Sequence, residues 1–187
     1  RGLAENDDIF FQHREACNTA YEAVPAVVEE YMAKISEITG REYKLFSYYG
    51  AEDADRVIIC MGSVTEAARE AIDYLNGKGE KVGMVSVHLY RPFSVKHLLA
   101  AVPKTCKRIA VLDRTKEPGA NGEPLYLDVK DAFYNEENRP VIVGGRYGLG
   151  SCDTTPTMIC SVYENLALPM PKDHFTVGIV DDVTYQS

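Results

Sequence analysis

Much of what marks a catalytic, metal-binding or membrane protein is missing from these 187 residues. No apolar run approaches the roughly 20 residues that cross a bilayer, which excludes a membrane-spanning helix within them. There is no polybasic block, and 28 acidic against 20 basic residues leave a net charge of -8. Non-specific binding to nucleic acid or to an anionic membrane surface is thereby excluded. Five cysteines, Cys17, Cys60, Cys106, Cys152 and Cys160, are odd in number, scattered, and never spaced as C-x-x-C. Neither a zinc site nor an iron–sulfur cluster is written in that spacing, and the usage fits a reducing cytosol. The four histidines form no H-E-x-x-H pair, and no G-x-S-x-G elbow is present. Metalloprotease and serine-hydrolase chemistry therefore lack their motifs.

What remains is an ordinary globular composition, 45% hydrophobic and 26% charged. The chain starts at Arg rather than Met and reads as a piece of a longer protein. Residues 1–22 mix charge with aromatics without a sustained period and read as an arm or interdomain linker; Phe10 and Phe11 need cover from another surface. Residues 23–187 read as one α/β domain. Its first helix carries Val24, Val27, Val28, Tyr31, Ile35 and Ile38 on one face and closes at Gly40. "REYKLFSYYGAEDADR" reads as an extended connector. Aliphatic runs then alternate with helices: "RVIICMG", "KVGMVSVHLY", "RIAVLD", "PVIVGG" and "HFTVGI" as strands, with helices between them. Ser63 with Glu66 predicts a capping box, and Thr155-Pro156 a helix start. The pattern predicts a three-layer α/β/α sandwich around a mostly parallel five-stranded sheet.

Ligands of such sheets sit beyond the carboxyl ends of the strands. The loops there include "HLYRPFS", "DRTKEPGANGEP" and "GGRYGLGSCD". The last tempts a phosphate reading and fails it twice. Gly145 and Gly150 have P-loop separation, but Ser151 stands where lysine is required. Gly148 and Gly150 open a dinucleotide fingerprint whose third glycine is Asp153. The glycines are expected to turn a corner and allow close packing, with at least one in the left-handed region.

Three blocks carry a resemblance. "VHLYRPFSVKHLLAAVPKTCKRIAVLDRTKEPGANGEPLYLDVKDAF", "VGGRYGLGSCDTTPTM" and "HFTVGIVDDVT" resemble the second domain of pyruvate:ferredoxin (or flavodoxin) oxidoreductase. That domain is similar to the C-terminal domain of transketolase. The resemblance implies a large cytoplasmic, homodimeric parent that cleaves pyruvate oxidatively with coenzyme A to acetyl-CoA and carbon dioxide. Thiamine diphosphate with Mg2+ and 4Fe–4S clusters would serve it, with ferredoxin or flavodoxin as electron acceptor. No G-D-G, no double asparagine and no cluster-type cysteines stand in this chain, so no cofactor or catalytic role transfers to its residues. It implies a structural, interdomain part, touching the other domains of the same polypeptide. Arg91, Asp113, Arg114, Glu117, Arg146 and Tyr147 are the candidate interdomain contacts, expected to cluster at one sheet edge and to be largely solvated in the isolated domain. The competing reading is a stand-alone nucleotide- or effector-binding module on a Rossmann-like fold. A self-contained hydrolase is disfavoured by the missing elbow and triad.

Overall fold

Four aliphatic runs become four central strands in the computed structural model, which describes residues 4–180. Two units are distinguished: Arg1–Leu45 with Leu89–Ser94, and Phe46–His88 with Val95–Ser187.

The first unit is helical. Helix α1 is Phe10–Ala16 and α2 is Asn18–Thr39. Gly40 ends α2 in the left-handed conformation, φ 69°, its amide on the Ser36 carbonyl at 2.9 Å. The expected stop is therefore observed, but the start lies six residues earlier than Val24. The stretch read as an arm or linker is helical from Phe10 because Glu15, Ala16, Ala20 and Glu22 favour helix by propensity, which an apolar period does not register.

The second unit holds β1 (Phe46–Gly50), β2 (Arg56–Cys60), α3 (Val64–Gly77), β3 (Val82–Val87), α4 (Val95–Ala101), β4 (Arg108–Asp113), α5 (Pro124–Ala132), β5 (Val141–Arg146), a 3-10 turn (Leu149–Ser151), α6 (Pro156–Ala167) and β6 (Phe175–Thr176). The sheet order is β1-β3-β2-β4-β5-β6, with β1 antiparallel to β3 and every other pair parallel. Six strands stand where five were expected. The extra one is β1, in the presumed connector, and "HFTVGI" contributes only two residues to β6.

Strand residues alternate between two helical layers. Ile58, Cys60, Met84, Ala110, Leu112 and Val143 face α3 and α6, which meet through Ala68, Ile72, Ile159 and Val162. Helix α5 lies on the opposite face and touches α4. Because both faces are covered, Val57–Cys60 and Ile109–Leu112 are almost wholly buried, as continuous aliphatic strands must be. Thr155 caps α6, its hydroxyl accepting from the Met158 amide at 3.4 Å. Ser63 does not act as the capping box requires: its side chain makes no cap bond, and its backbone is already helical at φ -64°, ψ -22°. A serine in that conformation aims its hydroxyl away from the first-turn amides, and the Thr65 hydroxyl instead bonds the Gly62 carbonyl at 2.9 Å.

Candidate functional site at the carboxyl ends of the strands

β4 delivers Asp113 to the sheet's carboxyl edge, only 4% exposed. Its two carboxylate oxygens accept the amides of Leu125 and Tyr126, each at 3.0 Å. A residue twelve positions upstream thus satisfies two of the orphan donors that open α5, and its charge faces the positive end of the helix. The charged loop between them is tied at both ends by this one side chain. Glu123, 2% exposed, precedes Pro124 at the helix start and lies 3.7 Å from the Arg146 guanidinium and 3.6 Å from Lys116 Nζ. Arg146, at the adjacent end of β5, also donates to the His174 carbonyl at 2.5 Å. Tyr147 donates its amide to the Asp113 carbonyl at 3.1 Å and its hydroxyl to the Met61 carbonyl at 3.4 Å.

Burial raises the Asp113 carboxyl above its ordinary value; the two amide bonds oppose the rise, and Glu123 and Asp128 add to it. The folded chain therefore binds this proton more readily than the unfolded chain. Stability from Asp113 is greatest below the unfolded carboxylate value, about 3.9, and declines as pH rises through the raised folded value. We expect the stability difference between the parent sequence and Asp113→Asn, from urea unfolding across pH 4–7, to shrink as pH rises. A difference that grows with pH would mean that the amide bonds outweigh burial.

The glycine stretch is occupied by packing. A Cβ on Gly144 would lie 3.0 Å from the ring of Tyr126, and one on Gly145 only 2.3 Å from Phe175 Cζ. The paired glycines thus let one aromatic ring rest on each face of β5. Gly148 and Gly150 take φ 64° and 62°, as a chain reversing into α6 requires, and Arg114 Nε donates to the Gly148 carbonyl at 2.9 Å. Gly145→Ala is expected to cost about 2 kcal/mol by overpacking. Restoring most of that loss with Phe175→Leu in the same chain would confirm the ring as the cause; no restoration would refute it.

Of the six candidate residues, Asp113, Arg146 and Tyr147 are brought together and buried. This corrects the expectation of a solvated cluster: helix α5 and the His174 carbonyl close over them and supply hydrogen bonds that water would otherwise make. Arg114 and Glu117 are exposed, the latter accepting from the Thr115 hydroxyl at 3.3 Å. Arg91 belongs to the other unit, where its guanidinium stacks 4.0 Å from the Tyr90 ring centroid and bonds the Tyr90 carbonyl. Sequence reasoning missed Tyr126 and Asp173 as partners of this edge. The Tyr126 hydroxyl donates to Asp173 at 2.7 Å, while the other Asp173 oxygen accepts the Gly144 amide at 2.7 Å. Position 173, just before a two-residue strand, carries no signal that would have marked it.

A polar crevice of about 230 Å³ opens at the same edge, lined by Ser63, Arg114, Tyr147, Ser151, Cys152 and Asp153. Among the described residues, no three or more His, Cys, Asp or Glu side chains are grouped to hold a metal ion. Burial pushes the Cys60 and Cys106 thiols up to about 12, so both stay protonated at neutral pH. Among the described residues no helix is long and apolar enough to cross a membrane.

Residues 54–159 match the family model described as pyruvate:ferredoxin oxidoreductase core domain II. The whole chain is 64% identical to pyruvate-flavodoxin oxidoreductase of Enterobacter agglomerans and 54% identical to pyruvate:ferredoxin oxidoreductase of Moorella thermoacetica. It spans 16% of the length of each. A solved structure, 2-oxoglutarate:ferredoxin oxidoreductase from Magnetococcus marinus with 2-oxoglutarate, coenzyme A and succinyl-CoA bound, is 25% identical at a TM-score of 0.48, over 65% of this chain and 19% of that one.

Proposed function

Because the chain belongs to the pyruvate:ferredoxin oxidoreductase family, as its core domain II, we propose that it is a non-catalytic, interdomain part of a larger cytoplasmic enzyme. That enzyme oxidises pyruvate with coenzyme A to acetyl-CoA and carbon dioxide, and reduces ferredoxin or flavodoxin. Thiamine diphosphate, Mg2+ and 4Fe–4S clusters act in other domains, and the assembled enzyme is a homodimer. Residues 1–22 join the domain to its neighbours. The observation that carries the reading is the use made of the strand ends. Asp113, Glu123 and Arg146, the charged groups best placed to meet a ligand, are consumed in capping α5 and tethering the residues around β6. Arg91, Arg114 and Glu117 keep exposed surface for contacts with other domains.

The test compares the full-length polypeptide with this chain alone, in viologen reduction dependent on pyruvate and coenzyme A. Turnover is expected only from the former. Turnover by the chain alone, or calorimetric binding of thiamine diphosphate to it at micromolar strength, would defeat the proposal. A rise in melting temperature with coenzyme A or adenine nucleotides would favour an independent binding module instead.

A further inference from the structure

Helix α2 runs for 22 residues without burying one of them. Val24, Val28 and Met32 are only half-covered. Val27, Tyr31, Ile35 and Ile38 are 48%, 60%, 47% and 84% exposed. These four recur at i, i+4, i+8 and i+11 and form a stripe along one side, beside the half-covered residues. The opposite side carries Glu22, Glu29 and Glu37 and is an ordinary solvated face; Lys34, paired with Glu30 at 2.5 Å, borders the stripe with its ammonium 4.8 Å from the Tyr31 ring centroid. A helix in water draws its stability mainly from packing its apolar face. A stripe of four large apolar side chains left in solvent marks an interaction surface.

We propose that this stripe is covered by an apolar surface of the same polypeptide lying outside these 187 residues. The relatives match the chain over its whole length, α2 included, and the chain is 16% of each. Most of the polypeptide that carries such a helix therefore lies elsewhere. A second copy of the chain is the weaker occupant. Four side chains on a helix about 33 Å long fall short of the roughly 800 Å² per partner that separately diffusing proteins bury. A tethered neighbour needs no such area, because the connection holds it at high effective concentration. The four side chains carry no charge, so the cover is apolar where it meets them, with the Lys34 ammonium over the Tyr31 ring at the border.

The inference rests on the reading of the chain as one domain of a longer polypeptide, and its test does not use catalysis. In the full-length protein, single cysteines are placed on the stripe (Tyr31→Cys, Ile38→Cys) and on the polar side (Glu22→Cys, Glu37→Cys). Maleimide labelling is followed by peptide mass spectrometry, which separates these sites from Cys17 and Cys152. Uncovered, the two sides label alike; covered, the stripe labels at least ten-fold more slowly. Equal rates overturn the proposal. A photo-crosslinking residue at position 38, the most exposed of the stripe and the least able to disturb folding, then identifies the cover. A product within one polypeptide, to residues outside this chain, is expected. A product to residues 46–88 or 95–180, or one joining two copies, overturns the proposal. Loss of pyruvate turnover in the full-length protein would defeat the functional reading alone, since the labelling ratio does not depend on it.

Discussion

Arg146→Glu is expected to destabilise the chain by about 3–5 kcal/mol, visible as a fall of roughly 10 °C or more in melting temperature. Arg146 is 6% exposed, and its guanidinium faces the Glu123 carboxylate and holds the His174 carbonyl. Reversal removes the counter-charge and sets a carboxylate beside Glu123 and Asp113, in a place from which water is excluded. Arg114→Glu is the control on the same edge. Arg114 is exposed and donates to the Gly148 carbonyl, so a change within about 1 kcal/mol is expected. In the full-length enzyme that second variant should weaken assembly or turnover while the fold stands. A double change, Glu123→Gln with Arg146→Met, removes both charges and should recover much of the loss. Equal melting of Arg146→Glu and the parent sequence would show that the pair contributes nothing inside this domain.

The contrast between these two arginines shows where sequence reasoning stops. Both come directly after the aliphatic run of an expected strand, and nothing local separates them. Their difference arises from His174, 28 residues beyond Arg146, and from a helix start twelve residues beyond Asp113. Neither is visible in a window of sequence. What was legible is the part decided locally by side-chain pattern. The aliphatic runs of β2 to β5, the buried faces of α3 and α6, the left-handed glycine closing α2 and the Thr155 cap all follow from short-range chemistry. β1 was missed because "FSYYG" offers aromatics in place of an aliphatic run. It pairs with β3, some 35 residues away, rather than with the strand that follows it. Aromatic residues favour strands as much as aliphatic ones do, and that signal was available. The Ser63 box failed for a finer reason: motif spacing does not set the backbone angles on which capping depends.

Tyr126 should prove the costliest side chain to truncate at this edge. It is fully buried, lies against Gly144, meets the His174 ring edge-on at 5.5 Å, and donates its hydroxyl to Asp173. Burial and then Asp173 raise its ionisation far above the ordinary phenol value, so it remains a donor at any working pH. Tyr126→Phe removes that donor from a carboxylate and should cost about 1.5–3 kcal/mol. Tyr126→Ala also leaves a cavity and should cost about 4–5 kcal/mol. The two losses separate hydrogen bond from ring. The ring is also what makes glycine necessary at position 144. In the parent sequence Gly144→Ala drives a methyl to 3.0 Å from a buried ring that Asp173 holds in place, and is expected to be destabilising. Beside Tyr126→Ala the same methyl enters vacated space, and its cost should vanish or reverse. Denaturant unfolding of both single variants and the double variant should therefore give a coupling of about 1–2 kcal/mol. If the two costs simply add, Gly144 is required by the strand itself, and the packing account of the glycine pair fails at its first position.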